Sequence, residues 1–396
     1  MRIMVAEKEN MLDHILNKEQ ALASLNSWIP SAKNYYAKNR NYDVNGENTT
    51  SRLSKFISCG LLSENEIIKS ANNFRVPLIN NKFIEEIFWR IYFRGYLENR
   101  PSVWSNYLNE LNQKIDIKNT KEYNTAILGK TGIKCFDDWT ENLKSKGYLH
   151  NHTRMWYASI WIFTLGLPWQ LGADFFLKNL IDADEASNTI SWRWVAGLHT
   201  SKKPYIARPD NIFKFTKKYY PKDELNLKPI PISEDEVYKP SPMRNLTNTY
   251  SLNGSILIHD NFFPLNLLNK IKCQKIYVLE SEINPLYRIS RIWNFVQPQI
   301  VKSISKKYSV EPIFIRMDHL YKINHLPIIT NRPRVGLWKD ISAAFFDLLS
   351  LNEKIRFVTP KIDTLSWAYC KNGYFNLKKN IPNILNGITD QVKIKF

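Results

Sequence analysis

The sequence predicts a mainly α-helical protein whose helices are followed by a smaller α/β region. Between residues 10 and 220, apolar residues recur at spacings of three and four, and strand-like alternation is scarce. Five prolines between residues 221 and 250 then exclude long regular elements. Beyond them, short apolar runs alternate with longer helical or polar stretches, as in parallel α/β units. We predict a helical domain over residues 1–220, a linker over 221–250 and a small α/β domain, without an assigned role, over 251–396.

The individual elements follow from these patterns. The helical spacing predicts helices near residues 10–38, 63–72, 80–98, 135–147, 150–165 and 170–182. The fifth helix should end at Leu165, before Gly166 and Pro168, and the next should begin near Trp169. The apolar runs predict strands at residues 255–260, 275–280, 311–316 and 354–359.

Composition and charge bound the function. The 396 residues are 44% hydrophobic and 23% charged, which is typical of a folded chain and excludes bulk disorder. The net charge of +18 favours a polyanionic partner, either nucleic acid or an anionic membrane surface. The excess is C-terminal, since 24 basic and 21 acidic residues precede position 201, whereas 31 and 16 follow.

The sequence also predicts a cytoplasmic, monomeric protein that is not bound to a membrane. Charged residues at positions 7–9 exclude a secretory signal peptide, and polar or helix-breaking residues interrupt the long uncharged stretch over 155–173. The four cysteines are far apart and form no C-x-x-C pair, so we expect reduced thiols. His150 and His152 have no third ligand at a suitable spacing; we predict that they cap a helix and that no metal is bound.

Two clusters could carry chemistry. Residues 49–54 (TTSRLS) place hydroxyls, backbone amides and one guanidinium before a helical segment, where they could hold a phosphate. The alternative is an ordinary helix cap by Thr50 or Ser51. Arg154 with Asp182, Asp184 and Asn188 could recognise polar ring edges, although surface pairs of this kind are common. Residues two positions apart do not share one face of a helix. At least one of Asp182 and Asp184 should therefore lie in a turn or at a helix end.

Five motifs occur in one order and spacing: TSRLS at 50–54, FWR at 88–90, HNHTRM at 150–155, LIDADEASN at 180–188 and SWRW at 191–194. Together they resemble the flavin-binding domain of the DNA photolyase and cryptochrome family, from about Asn41 to Asn211. The resemblance implies an all-helical domain that holds FAD in a folded conformation and is active with the reduced form of the cofactor.

The resemblance also implies roles for single residues around the cofactor. The phosphates and the ribityl chain would be held by Tyr42, Thr50, Ser51, Arg52, Leu53 and Ser54. Arg90 would lie against the cofactor, and Arg154 paired with Asp182 would flank the isoalloxazine ring. Asp184 would bind the cofactor's polar edge, and Asn188 would face the reactive nitrogen of its central ring.

The implied reaction is light-driven repair of cyclobutane pyrimidine dimers in damaged DNA, with single-stranded DNA as the expected form. Glu86 would stabilise the carbonyl edge of the dimer, Asn151 and Met155 would contact it, and Trp89 and Trp194 would form its apolar wall. A histidine pair is typical of photolyases that repair the (6-4) photoproduct, so His150 and His152 leave this lesion as an alternative substrate. The alternatives from other classes are a cryptochrome-like blue-light photoreceptor that signals through its C-terminal region and a flavoprotein that merely binds nucleic acid.

Two family features lack a clear match. Trp192 and Trp169 correspond to the first two tryptophans of the family's electron-transfer chain. The third position falls near Lys118, so Tyr123, Trp104 or another route would have to carry the electron in its place. The usual antenna domain is not found before Tyr42, and the antenna chromophore is unknown. The segment ILIHDN at 256–261 resembles the opening of that domain, so the α/β region could replace it; the alternative is an unrelated tail.

Overall fold

The computed structural model describes residues 16–44, 47–200, 202–242, 252–259, 271–280, 287–323, 327–351 and 354–388. The helices that precede the sheet are α1 (Lys18–Trp28), α2 (Tyr35–Asn39), α3 (Ser54–Ser58), α4 (Glu64–Asn73), α5 (Lys82–Asn99), α6 (Pro101–Gln113), α7 (Lys121–Leu128), α8 (Lys134–Lys146), α9 (Asn151–Ser159), α10 (Trp169–Asn179), α11 (Glu185–Val195) and α12 (Pro209–Thr216). Among the described residues, no helix is long and apolar enough to cross a membrane.

Local signals explain where the helices begin and end. The Asn81 side chain accepts hydrogen bonds from the backbone amides of Phe83 and Ile84 and thereby starts α5. The helix stops before Pro101, which in turn occupies the first position of α6. A capping box between Ser63 and Glu66 starts α4.

The predicted helix over 10–38 is wrong as one element. Residues 10–15 lie outside the described part, and Pro30 lies in a 3-10 turn over Ile29–Ala32 that separates α1 from α2. The helix predicted over 150–165 is α9 followed by a π turn over Ile160–Thr164, and it ends where Gly166 and Pro168 predict. The sequence patterns did not predict α6, α7, α11 or α12.

The C-terminal sheet is parallel throughout. Its strands are β1 (Leu252–Ile258), β2 (Ile271–Leu279), β3 (Pro312–Ile315), β4 (Ile328–Asn331) and β5 (Ile355–Val358). They lie in the order β3-β2-β1-β4-β5, with β1 in register between β2 and β4. The helices around them are α13 (Arg288–Tyr308), α14 (Leu337–Leu351), α15 (Lys361–Ser366) and α16 (Tyr374–Ile388). The predicted fold class, mainly helical with a small α/β region, is therefore confirmed.

The helices that follow the sheet pack against α5. Gly95 of α5 permits this close approach, because a Cβ there would lie 2.6 Å from the Trp367 side chain and 2.7 Å from Cys370 Sγ. Asn99 donates a hydrogen bond to the Trp367 carbonyl at 3.0 Å. One apolar cluster accordingly contains buried residues of both the early helices and the C-terminal region. The division of the chain at residues 221–250 stays a prediction.

Candidate functional site

The first part of the candidate site joins α9 to the turn between α10 and α11. Nη2 of Arg154 donates hydrogen bonds to both carboxylate oxygens of Asp182, at 3.1 and 2.9 Å. Nε of Arg154 donates to the Leu149 carbonyl at 2.9 Å, which fixes the plane of the guanidinium. The Asp182 side chain is buried, whereas a quarter of the Arg154 side chain is exposed. The structure therefore forms the ion pair that the sequence predicted, and the Arg154 side chain remains partly exposed.

Asp184 lies at the start of α11. Its carboxylate accepts from the Ser187 amide at 2.8 Å, from Arg90 Nη2 at 3.1 Å and from Arg94 Nε at 3.4 Å. Burial opposes ionisation, but Arg90 and Arg94 hold the pKa of Asp184 well below its usual range. The expectation that one aspartate lies at a helix end is confirmed, and these bonds take most of the roughly four acceptor positions of the carboxylate.

The charge network around Asp184 extends into the C-terminal region. Arg94 Nη1 donates to Glu64 at 2.6 Å, and both side chains are buried. Arg334, which follows β4, interacts electrostatically with Glu64 and with Asp184 and forms an ion pair with Asp363 at 3.5 Å. Burial opposes ionisation of Glu64, but Arg94, Arg334 and Arg90 lower its pKa. The C-terminal region thus contributes charge next to the candidate site, which sequence reasoning did not predict.

The segment 49–54 leads into α3, whose N-cap residue is Leu53 and has no side-chain cap. The Leu53 amide donates to Ser51 Oγ at 3.4 Å, so the alternative of an ordinary helix cap by Thr50 or Ser51 is not found. Arg52 has a left-handed backbone with φ of 50° and an exposed side chain. Ser54 begins α3, and the Leu53 side chain is buried.

Tyr148 joins this segment to the Arg154 pair. Its hydroxyl lies 3.1 Å from Thr50 Oγ1, and its ring centroid lies 5.3 Å from the Arg52 guanidinium and 5.5 Å from that of Arg154. The sequence analysis missed Tyr148; its position two residues before the HNHTRM motif is the only signal that could have indicated it. Thr49 Oγ1 donates to the Tyr42 carbonyl at 2.6 Å, which brings the predicted Tyr42 to the same segment.

Asn188 is buried one turn into α11. Its Nδ2 donates to the Ala173 carbonyl of α10 at 2.9 Å, and this bond fixes the orientation of the amide. Beside Asp184, the buried Ser187 Oγ has no hydrogen-bond partner among the described residues, and Arg90 Nε has none closer than its 3.8 Å ion-pair contact with Glu64. Such donors are costly to leave unpaired, so this part of the site fits a ligand that supplies acceptors.

The side chains predicted to contact a lesion retain solvent exposure. Asn151 is exposed, while Glu86, Trp89, Met155 and Trp194 are half-buried. Trp194 lies against the Tyr205 ring at 5.6 Å between centroids, and the Tyr205 hydroxyl lies 3.3 Å from His152 Nε2. His150 caps α9 by accepting from the His152 amide at 3.1 Å, so the capping prediction is confirmed for His150.

Two of these residues already have protein partners. Glu86 is paired with Arg40, and burial raises the pKa of Glu86 despite the opposing effect of Arg40. One face of Trp89 is stacked on Tyr374 of α16, with centroids 3.7 Å apart and planes at 11°. A base could therefore contact only another part of the Trp89 ring in this arrangement.

The tryptophans form two series of ring contacts. One runs from Trp192 to Trp161 at 6.3 Å and from Trp161 to Tyr123 at 5.9 Å. The other runs from Trp169 to Tyr107 at 5.5 Å and on to Trp104 at 5.3 Å. Lys118, at the expected place of a third tryptophan, instead pairs with Asp174 at 2.9 Å.

Comparisons with known proteins find similar sequences over the part of the chain that carries most of these residues. Residues 83–236 match the family model described as the FAD binding domain of DNA photolyase. A deoxyribodipyrimidine photo-lyase from Buchnera aphidicola subsp. Baizongia pistaciae is 32% identical over 189 residues, which are 44% of this chain and 40% of that protein. One from Streptomyces griseus is 32% identical over 163 residues, which are 41% of this chain and 35% of that protein.

Among solved structures, a class III photolyase from Agrobacterium tumefaciens is 28% identical and aligns over 50% of this chain and 42% of its own, with a TM-score of 0.44. The chain spans about 40% of the length of the curated relatives named above. The family match includes Arg90, Arg154, Asp182, Asp184 and Asn188 but begins after residues 49–54. The resemblance seen in the sequence is thus confirmed for residues 83–236, which are similar to the FAD binding domain of DNA photolyase.

Proposed function

We propose that this chain binds FAD and repairs cyclobutane pyrimidine dimers in DNA when illuminated. The observation that carries the proposal is the Arg154 and Asp182 pair, formed within the matched segment and close to the Asp184 cap of α11. Relatives named deoxyribodipyrimidine photo-lyase support the reaction. They match over less than half of their length, so we infer the activity and the substrate rather than assign them.

The residues present suit FAD. The hydroxyls of Thr50, Ser51 and Ser54, with the Arg52 guanidinium, are a donor set suited to a diphosphate. Ser187 Oγ and Arg90 Nε, which make no hydrogen bond among the described residues, would donate to acceptors on the cofactor's polar edge, beside Asp184. Tyr42 and Leu53 belong to the same segment, and Asn188 would lie against the central ring.

Bound FAD in its reduced form supplies, on excitation by light, the electron that splits the cyclobutane ring and is afterwards returned. The protein residues would bind the cofactor and orient it. Asp182 holds the Arg154 guanidinium in one plane and compensates its charge, so that the partly exposed cation can lie against a ring. The Asn188 amide is fixed by its bond to Ala173 and cannot rotate away from its ligand.

The half-buried residues suit a flipped-out dimer. Trp194 and the free part of Trp89 provide apolar surface, and Met155 and Asn151 provide adaptable contacts. Burial raises the pKa of Glu86, so its carboxyl group takes up a proton more readily than an exposed one does, and in that form it would donate a hydrogen bond to a base carbonyl. Extrusion of the dimer costs a few kcal/mol, and less for a lesion that already distorts the strand.

The test begins with purified protein. FAD is identified by its absorbance, reduced chemically, and illuminated with blue light in the presence of an oligothymidine that carries cyclobutane dimers. We expect thymine absorbance to recover in the light and not in the dark. Bound FAD without recovery on this substrate or on a (6-4) substrate would contradict the proposal and favour a photoreceptor.

Glu86→Gln probes the lesion contact in the same assay. The variant keeps the shape of the carboxyl group but loses both its ion pair with Arg40 and its acidic proton, so we expect a lower repair yield at unchanged FAD content. Glu122→Gln is the matched control, because Glu122 is exposed on α7. An unchanged yield would remove Glu86 from the lesion site.

Two finer proposals concern the partner and the assembly. We propose that damaged single-stranded DNA is the preferred substrate and that the protein acts as a cytoplasmic monomer. Repair rates on the same dimer in single and double strands test the first proposal, and light scattering of the purified protein tests the monomer. A faster rate on duplex DNA or the mass of a dimer would contradict them.

A further inference from the structure

The helix α16 lies beside the candidate site and presents a second face to solvent. Tyr374, its first residue, stacks on Trp89 and donates a hydrogen bond to the Glu85 carbonyl of α5 at 3.0 Å. Lys378, one turn later, forms an ion pair with Glu85 at 2.9 Å. These contacts fix α16 against the part of α5 that carries Glu86 and Trp89.

The residue next to Tyr374 is an exposed aromatic side chain. Phe375 is 72% exposed, and its ring centroid lies 6.3 Å from that of Tyr374. Lys371 precedes the helix by one turn and Lys379 follows Phe375 by four positions, and both are exposed. We call Lys371, Phe375, Lys378 and Lys379 the α16 surface.

The charges of Lys371 and Lys379 have no acidic residue near them in the sequence. No aspartate or glutamate occurs between Asp363 and Asp390, and the nearby Glu85 is already shared between Lys378 and Lys82. A single exposed ring is ordinary on a protein surface. An exposed ring between lysines is the combination that binds single-stranded nucleic acid, because the ring stacks on a base while the ammonium groups contact phosphates.

We propose that the α16 surface binds a single DNA strand where it leaves the candidate site, with a base on Phe375 and phosphates on Lys371 and Lys379. The direction of the strand rests on the proposed function. The binding itself does not, because stacking and charge act equally on an undamaged strand. An acidic peptide would use the lysines but would gain little from Phe375, so the ring favours nucleic acid.

The experiment measures binding of the full chain to a dye-labelled, undamaged oligothymidine in the dark, by fluorescence anisotropy over a series of salt concentrations. We expect Phe375→Ala to weaken binding by about 5-fold or more, as loss of one stacked base does. Lys371→Gln with Lys379→Gln should reduce the slope of log affinity against log salt by about 1.4, or about 0.7 for each phosphate contact.

Matched controls lie on the strands β2 and β3 of the sheet. Phe314→Ala on β3 removes a 62% exposed ring, and Lys272→Gln on β2 removes an exposed charge. Both should bind like the unchanged protein. Three outcomes would each overturn the inference. The first is an equal loss of affinity in test and control variants, and the second is no binding by the unaltered chain. The third is unchanged binding of Phe375→Ala together with an unchanged salt slope of the double lysine variant.

The repair assay separates this inference from the proposed function. If the unaltered chain repairs the lesion but binding does not depend on Phe375, the proposal for the α16 surface is contradicted and the proposed repair activity is retained. Binding that depends on Phe375, with no repair in the light, would contradict the repair activity and leave the α16 surface. A loss by Phe375→Ala with the lysine variant unaffected would overturn the assignment of phosphates to Lys371 and Lys379.

Discussion

Arg154 and Asp182 form a two-bond ion pair that ties α9 to the turn before α11. A third bond, from Arg154 Nε to the Leu149 carbonyl, holds the same guanidinium from the other side. Three bonds leave the guanidinium little freedom, although a quarter of the side chain is exposed. A guanidinium that is held this firmly in a partly exposed side chain is suited to binding a ligand.

Asp182→Asn tests the importance of this pair. The amide can accept only through one oxygen and removes the charge that compensates Arg154, so we expect FAD content after purification to fall clearly. The loss of stability should be moderate, about 1–3 kcal/mol, as for a hydrogen bond to a charged group. Asp138→Asn is the control, because Asp138 pairs with the more exposed Lys134 and Lys218. FAD content equal to that of the control would contradict a role in cofactor binding.

Electron transfer to FAD can be assigned to one of the two series of rings. Trp192→Phe should slow photoreduction of oxidised FAD in blue light with an external reductant, while the chemically reduced variant repairs normally. Trp161→Phe should have the same effect if the electron passes through Trp161 and Tyr123, which contact one another at 5.9 Å. If photoreduction is slow in Trp169→Phe but normal in Trp161→Phe, the electron instead passes through the series of Trp169, Tyr107 and Trp104.

The sequence predicted those elements whose pattern is local. The helices at 63–72 and 80–98 agree with α4 and α5 because a cap and regular apolar spacing mark them. The strand Ile328–Asn331 was missed because only its first two residues are apolar, too few to mark an apolar run. The stacking of Trp89 on Tyr374 joins positions 285 residues apart, and no pattern in a single sequence pairs them.

The same reasoning applies to the site. The motifs identified Arg154, Asp182 and Asp184, because each lies in a short segment with recognisable neighbours. Tyr148 and Arg334 were missed, because their positions depend on how distant segments meet. Arg334 approaches Asp184 only because the loop after β4 packs against the helical part of the chain.

Gly172 permits the close packing of Trp192. A Cβ at this position in α10 would overlap the Trp192 ring and lie 3.0 Å from Trp161 Nε1. Gly172→Ala should gain about 1 kcal/mol of helix propensity but lose about 1–3 kcal/mol to overpacking, giving a net destabilisation in chemical denaturation. Gly373→Ala is the control, since its nearest neighbour atom would be 3.8 Å away. Stabilisation by Gly172→Ala would show that the Trp192 ring can shift, and photoreduction should then also change.

Glu185, next to Asp184, should make stability depend on pH. Burial and the Asp184 carboxylate raise its pKa from 4.5 to about 7. The folded state therefore holds this proton more tightly than the unfolded state, and the stability it contributes is complete below pH 4.5 and lost as the pH rises through 7. We expect the Tm of Glu185→Gln to rise relative to the unaltered chain between pH 5 and pH 8. Glu141→Gln controls for the loss of one exposed carboxylate. A difference in Tm between Glu185→Gln and the unaltered chain that stays constant with pH would show that Glu185 is ionised in the folded protein throughout this range.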